Sequence, residues 1–196
     1  MIIGLTGGIA AGKSTVRELL AAHTALQTFD ADAYVRRLLD GDDQVIREIH
    51  DRFGPDFINA DGKPDRIRLR ELIYADSSAR RRLEEVLHPR VRRQWQELRE
   101  KCLASDRHLL ADIPLLFETG AETYFEAVVV VGCSPATQLA RLEARGIGHG
   151  TAEAMLASQW PIGQKTERAD FVIWNDGSLA ALGRQTELLS KQLFPV

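Results

Sequence analysis

The sequence predicts an α/β fold: a five-stranded parallel sheet with helices on both faces. Three observations lead there. Several of the five strand candidates, among them Leu109 to Asp112, Ala127 to Val131 and Phe171 to Trp174, are continuous apolar runs rather than alternating, which is the pattern of strands buried on both faces. Helical periodicities separate most of them, so parallel pairing through right-handed crossovers is the economical connection. A chain of 196 residues with 44% hydrophobic residues also suits one compact domain with small insertions. At that size roughly 70% of the unfolded surface is buried, and no disulfide or metal staple is needed.

Along the chain, Met1 to Thr6 reads as a short buried strand. Lys13 to Ala22 reads as a helix with Val16, Leu19 and Leu20 on one side. Leu26 to Phe29 is a second strand, followed by helical patterns over 31–39 and 43–52. Leu109 to Asp112, Ala127 to Val131 and Phe171 to Trp174 complete the five strands. The carboxyl ends of such strands carry the ligand. Two stretches stand outside this core. Residues 66–101 are helical in pattern and hold 11 of the 25 basic residues against 6 acidic ones, which marks a helical insertion. Gly146 to Gly150, in RGIGHG, leads into a helix at about 151–160 and reads as a flap. The expectation is one domain: a core of about 1–40 and 105–196, an insertion of about 41–104, and a lid of about 141–165.

Charge and cysteine content narrow the function classes. The net charge of −3 argues against a nucleic-acid coat and against a polybasic membrane binder. Ala127 to Val131, the longest apolar run, is far too short for a bilayer span. Cys102 and Cys133 form no CxxC pair and no Cys/His cluster, the pattern of a reducing compartment without a zinc site. The expectation is a cytoplasmic protein with no nucleic-acid, membrane or obligatory protein partner.

Chemistry concentrates in a few motifs. Gly7-Gly8-Ile9-Ala10-Ala11-Gly12-Lys13-Ser14 matches GxxxxGK[ST] directly after a strand and before a helix, the context a P-loop requires. Its backbone N–H groups and the helix amino terminus would cradle phosphates. Gly8, Ile9, Ala10, Ala11, Gly12, Lys13, Ser14 and Thr15 are therefore the candidate nucleotide-phosphate contacts, which the resemblance given below makes contacts to ATP. Lys13 would span the β- and γ-phosphates, and the Ser14 hydroxyl would ligate Mg²⁺. Asp112 ends a core strand, where it would hold the same metal through its water shell or simply cap the next turn.

Asp30-Ala31-Asp32 closes the second strand. A carboxylate there either accepts the proton of an attacking hydroxyl or caps the following helix. Arg141 and Arg145 lie four apart on a helical stretch and would share a face. They would close over transferring phosphate charge, or form a solvated surface. His88-Pro89 interrupts the basic insertion, and proline pushes the residue before it out of the α region, so a bend is expected at His88. The arginine excess around it would be a solvated face or a site for an anionic acceptor.

Together GLTGGIAAGKST, DAD at 30–32, LHP at 87–89 and DIPLLFETG at 112–120 resemble the dephospho-CoA kinase family. QLARLEAR at 138–145, Gln159 with Pro161, and KTERADFVIWNDG at 165–177 continue the likeness across nearly the whole chain. The resemblance implies transfer of the ATP γ-phosphoryl group to the ribose 3′-hydroxyl of dephospho-CoA, the last step of coenzyme A synthesis. It implies that Asp32 is the acid–base residue and that Lys13 and Arg141 serve the transfer. It implies that the insertion around His88 and Pro89, with Leu115, holds the CoA portion. Arg145 would contact ATP, and Asn175 and Gly177 would lie against its adenine. Met155, Gly163, Gln164 and Trp174 depart from the family pattern, at the lid and the adenine edge. A small nucleoside or nucleotide kinase shares the P-loop, the Asp and the arginines, yet leaves LHP and DIPLLFE unexplained. A GTPase-type switch needs an NKxD segment, which the sequence lacks.

Overall fold

The computed structural model describes residues 1–23 and 26–194. It divides into two compact units, Met1–Phe29 with Leu98–Val196, and Asp30–Glu97. The second unit thus begins at the carboxyl end of the second strand, earlier than the expected residue 41.

The first unit is built on strands β1 (Ile2–Gly7), β2 (Leu26–Asp30), β3 (His108–Asp112), β4 (Ala127–Gly132) and β5 (Phe171–Trp174). Their order is β2-β3-β1-β4-β5, and the β1–β3, β1–β4 and β4–β5 pairings are parallel. Every residue of β1 and β4 is buried, as their unbroken apolar sequences predict. Alternate side chains sort to opposite faces. Ile3, Leu5, Val129, Val131 and Ile173 pack with Val16 and Leu20 of α1 (Lys13–His23) and with Leu182, Leu189 and Leu193 of α9 (Leu179–Leu193). On the other face, Gly4 leaves room for Leu116 and Phe125, and α8 (Ile162–Glu167) lies against β4. Each buried aliphatic side chain stabilises the fold by roughly 1.5–3 kcal/mol. The carboxyl-terminal helix α9 is absent from the sequence expectation. Its start signal was present, since the Ser178 hydroxyl accepts from Ala181 N–H.

The second unit is helical: α2 (Ala31–Gly41), α3 (Asp43–Phe53), α4 (Arg66–Ala75) and most of α5 (Ser77–Ala104). Aspartates cap three of these helices. Asp30 accepts from Ala33 N–H at 2.8 Å, Asp42 from Gln44 and Val45, and Asp65 from Ile67 and Arg68. Their apolar stripes meet in a core of Leu38, Leu39, Val45, Ile49, Leu69, Leu83, Val86 and Leu87. Several of the basic residues are spent within the unit, in Arg90–Glu48 (2.6 Å), Arg52–Glu85 (2.9 Å) and Arg66–Asp40 (3.2 Å).

The bend expected at His88 is not there: α5 is helical across Pro89. Proline removes one hydrogen bond and crowds the preceding turn. Beside the proline, the Arg90 guanidinium donates to the Val86 carbonyl at 2.6 Å while also holding Glu48. Packing of Leu83, Val86 and Leu87 into the core overrides the local preference. His88 sits half-buried on this helix, and burial, only partly opposed by Glu84, pushes its pKa down.

Candidate active site

The loop from Gly8 to Gly12 is held from outside by three side chains. Gln138 Nε2 donates to the Ile9 carbonyl at 2.7 Å, Arg141 to the Ala10 carbonyl at 3.2 Å, and Asn175 Nδ2 to the Ala11 carbonyl at 2.8 Å. Gln138 and Arg141 lie one turn apart on α6 (Pro135–Ala144), and Asn175 follows β5. A peptide unit is planar, with its C=O and N–H pointing opposite ways. Tying the Ile9 and Ala11 carbonyls outward therefore turns the Ala10 and Gly12 N–H groups the other way, while Ala11 N–H closes a tight turn onto the Gly8 carbonyl at 3.1 Å. This is how the sequence presents main-chain donors to an anion.

Two glycines are required by the clamps. The Gln138 amide occupies the space a Cβ on Gly8 would need, and the Asn175 amide does the same at Gly12, whose φ is +96°. Ala10 has a positive φ as well, at 57°, and Arg141 holds its carbonyl there.

Lys13 and Ser14 open α1. The Lys13 ammonium stands 3.4 Å from Asp112 Oδ1, and Arg17, one turn on, approaches Asp112 Oδ2 at 3.0 Å. The carboxylate is only 5% exposed, so these two cations fix it at the end of β3 beside the loop. Ser14 is exposed at the helix start. Asp112 and Ser14 offer hard oxygen donors, the kind Mg²⁺ takes together with phosphate oxygens and water. The donor set therefore fits that ion.

The remaining expectations fall out unevenly. Arg141 NH2 also donates to the Asn175 carbonyl at 2.9 Å, so one guanidinium joins the P-loop to the segment after β5. Arg145 is the exposed residue that caps α6 after Ala144, and Gly146 with φ +79° follows it. Asn175 is 7% exposed and its side-chain amide is engaged on the loop. Gly177 follows it with Ala181 as its near neighbour. Leu115 is half-buried in the turn that follows β3. Asp32, His88 and Pro89 belong to the other unit, where Asp32 is exposed in the first turn of α2. Asp30 is that helix's cap, which separates the roles of the two carboxylates.

Among the departures, Trp174 has a structural use. Its ring lies against Gly132 and its indole N–H donates to Asp176 Oδ2 at 2.8 Å. Asp176 in turn accepts from Ser134 N–H at 2.9 Å. Hydrogen bonding from the Thr137 hydroxyl first, then from Ser134 and Trp174, holds its pKa at about 2. Met155 is half-buried on α7 (His149–Ala157). Gly163 and Gln164 are exposed on α8.

Lys165 went unnoticed in the sequence as a structural element. Its side chain is fully buried, with the ammonium 2.8 Å from Glu118 and 3.0 Å from the Pro114 carbonyl. Only its place in the KTERAD run could have drawn attention to it.

The clamp geometry sets an expectation for Arg141. An ammonium is a compact point charge and does not reproduce the rigid planar fork by which Arg141 holds the Ala10 and Asn175 carbonyls with two separate nitrogens. Arg141→Lys therefore weakens ATP binding by about tenfold, the worth of one charge-assisted hydrogen bond. ATP titration of the folded variant checks it. Unchanged ATP affinity with a depressed kcat would show that Arg141 acts on the transferring group rather than on the loop.

Known relatives bear on this site. The family model for dephospho-CoA kinase matches residues 1–181. A dephospho-CoA kinase from Anaeromyxobacter dehalogenans is 43% identical over 195 residues, covering 98% of this chain and 92% of the relative. A crystal structure of a Thermus thermophilus protein superposes with a TM-score of 0.77 at 32% identity, covering 99% of this chain and 98% of that one. A dephospho-CoA kinase from Campylobacter jejuni shares the fold, with a TM-score of 0.66 at 24% identity over 98% of this chain and 96% of that one.

Proposed function

The chain belongs to the dephospho-CoA kinase family and carries out ATP-dependent phosphorylation of dephospho-CoA in coenzyme A biosynthesis; from that premise we propose how its own residues do so. The acceptor is the ribose 3′-hydroxyl. Its oxygen attacks the γ-phosphorus of ATP, the bond from that phosphorus to the β–γ bridging oxygen breaks, and ADP leaves. Phosphoryl transfer is mainly positioning and charge stabilisation. The observation that carries the reading is the clamped loop with Lys13 held at Asp112.

The Ala10 and Gly12 N–H groups bind phosphate oxygens, and Lys13 follows the charge developing between the β- and γ-phosphates. Asp32 accepts the proton of the 3′-hydroxyl. Ser14 and Asp112 would hold Mg²⁺, which when bound would neutralise phosphate charge. The helical insertion around His88 and Pro89, with Leu115 from the turn after β3, receives the CoA portion. Arg145 and the stretch to about residue 165 form a lid over ATP, with Asn175 and Gly177 at its adenine. We place the enzyme in the cytoplasm, a reading supported by two buried cysteines that form no disulfide.

ADP release measured across dephospho-CoA, adenosine, uridine and AMP tests this reading. Turnover is expected with dephospho-CoA alone, and chelation of divalent cations abolishes it. Robust turnover with a plain nucleoside, and none with dephospho-CoA, would overturn it.

A further inference from the structure

One charged pair in the first unit has no part in the chemistry above. Lys165 on α8 is fully buried, and its ammonium reaches two groups of the turn after β3, Glu118 Oε1 at 2.8 Å and the Pro114 carbonyl at 3.0 Å. The turn is fastened from both sides. Thr6 of β1 also donates its hydroxyl to the Pro114 carbonyl at 3.0 Å, and Glu118 Oε1 accepts from Trp160 N–H at 3.0 Å, between α7 and α8. The Phe117 and Trp160 rings stack 6.4 Å apart beside it.

Pairing alone is an uneconomical reason to bury these charges. Removing an ammonium and a carboxylate from water is offset only by good geometry and full hydrogen bonding, and apolar replacements are often as stable. Here the bonding is incomplete, since Glu118 Oε2 is buried without a hydrogen-bond partner among the described residues. Burial pushes the Lys165 pKa down, with Glu118 opposing, and Lys13 is close enough to add to the downward push. The pair thus lies within electrostatic reach of the P-loop lysine. What it grips is the chain two residues beyond Asp112 and one residue before Leu115.

We propose that Lys165 is a positioning residue for phosphoryl transfer. By holding the Pro114 carbonyl it sets the direction of the chain leaving Asp112, and by holding Glu118 it fastens α7 and α8 to that same turn. Asp112, Leu115 and the α7–α8 segment then keep one register. The inference rests on the proposed roles of Asp112 and Leu115, so wild-type turnover of dephospho-CoA is measured first. Failure there removes the functional reading, and failure below removes only this one.

The test separates positioning from ion-pair stability. Lys165→Met alone strands the Glu118 carboxylate and is expected to lower the melting temperature by on the order of 10 °C. In the double variant Lys165→Met with Glu118→Gln, no charge is stranded, the new amide oxygen still accepts from Trp160, and Thr6 still satisfies Pro114. Its melting temperature is expected to return close to wild type. Turnover is not. A misplacement of about 1 Å at a reacting site reduces rate by roughly 10²-fold, so kcat stays about 10²-fold down, the dephospho-CoA KM rises, and ATP binding to the clamped loop changes little. Lys165→Arg keeps charge and donors and is expected to recover part of the loss. If kcat of the double variant recovers together with its melting temperature, the pair is structural only and the proposal is overturned. Wild-type kcat and KM in folded Lys165→Met would overturn it as well.

Discussion

Asp32→Asn is expected to lower kcat by roughly 10²–10⁴-fold while leaving ATP binding nearly unchanged, the range assigned to a positioned acid–base group. The substitution keeps the side-chain shape and one acceptor oxygen, and removes charge and basicity. Its structural effect is small. Asp32 is exposed in the first turn of α2, and no hydrogen bond or ion pair among the described residues engages its carboxylate. Only a favourable interaction with the helix amino terminus is lost, about 0.3–1 kcal/mol. Asp30 supplies the control. Its carboxylate caps α2 through Ala33 N–H at 2.8 Å, and Asn caps about as well as Asp. Asp30→Asn should therefore retain both stability and most of the turnover, whereas Asp30→Ala should destabilise by about 1 kcal/mol. The two variants are compared after circular dichroism and ATP titration. An inactive Asp30→Asn beside a normal Asp32→Asn would reverse the assignment.

Lys13→Ala is expected to reduce kcat by on the order of 10²-fold or more with the fold intact. The ammonium stands 3.4 Å from Asp112, but Arg17 holds the other oxygen of that carboxylate at 3.0 Å. Removing Lys13 thus leaves no isolated buried charge, and the large penalty for breaking a buried pair does not arise. The loop keeps its shape too, because its carbonyls are held by Gln138, Arg141 and Asn175 rather than by Lys13. The loss should appear in kcat more than in thermal stability. Near-normal turnover in a folded variant would mean that the loop does not carry out phosphoryl transfer.

The central strands were legible because β1 and β4 are short, largely apolar runs buried along their whole length, whereas β2 and β5 are partly exposed and β2 carries Gln27 and Thr28. The P-loop was legible because its glycines, lysine and serine lie in one contiguous stretch between a strand and a helix. The devices that shape the loop were not. Gln138 reaches Ile9 across 129 residues and Asn175 reaches Ala11 across 164, and nothing local marks either amide as a clamp. Lys165 and Glu118 are likewise far apart in sequence, and a charged pair reads as surface until burial is known. Pro89 misled in the opposite sense. Its local rule predicts a bend, but the packing of Leu83, Val86 and Leu87 into the apolar core keeps α5 continuous.

The central claim is the fate of one phosphoryl group, and it is read most directly by locating that group in the product. The full-length enzyme is mixed in excess with ATP labelled in the γ-phosphate, dephospho-CoA and Mg²⁺, and quenched after a single turnover. The product is analysed by tandem mass spectrometry and phosphorus NMR. The account predicts that the label sits on the ribose 3′-oxygen of coenzyme A, with one ADP formed per label transferred. Label released as inorganic phosphate, or attached at any other oxygen of the acceptor, would contradict it.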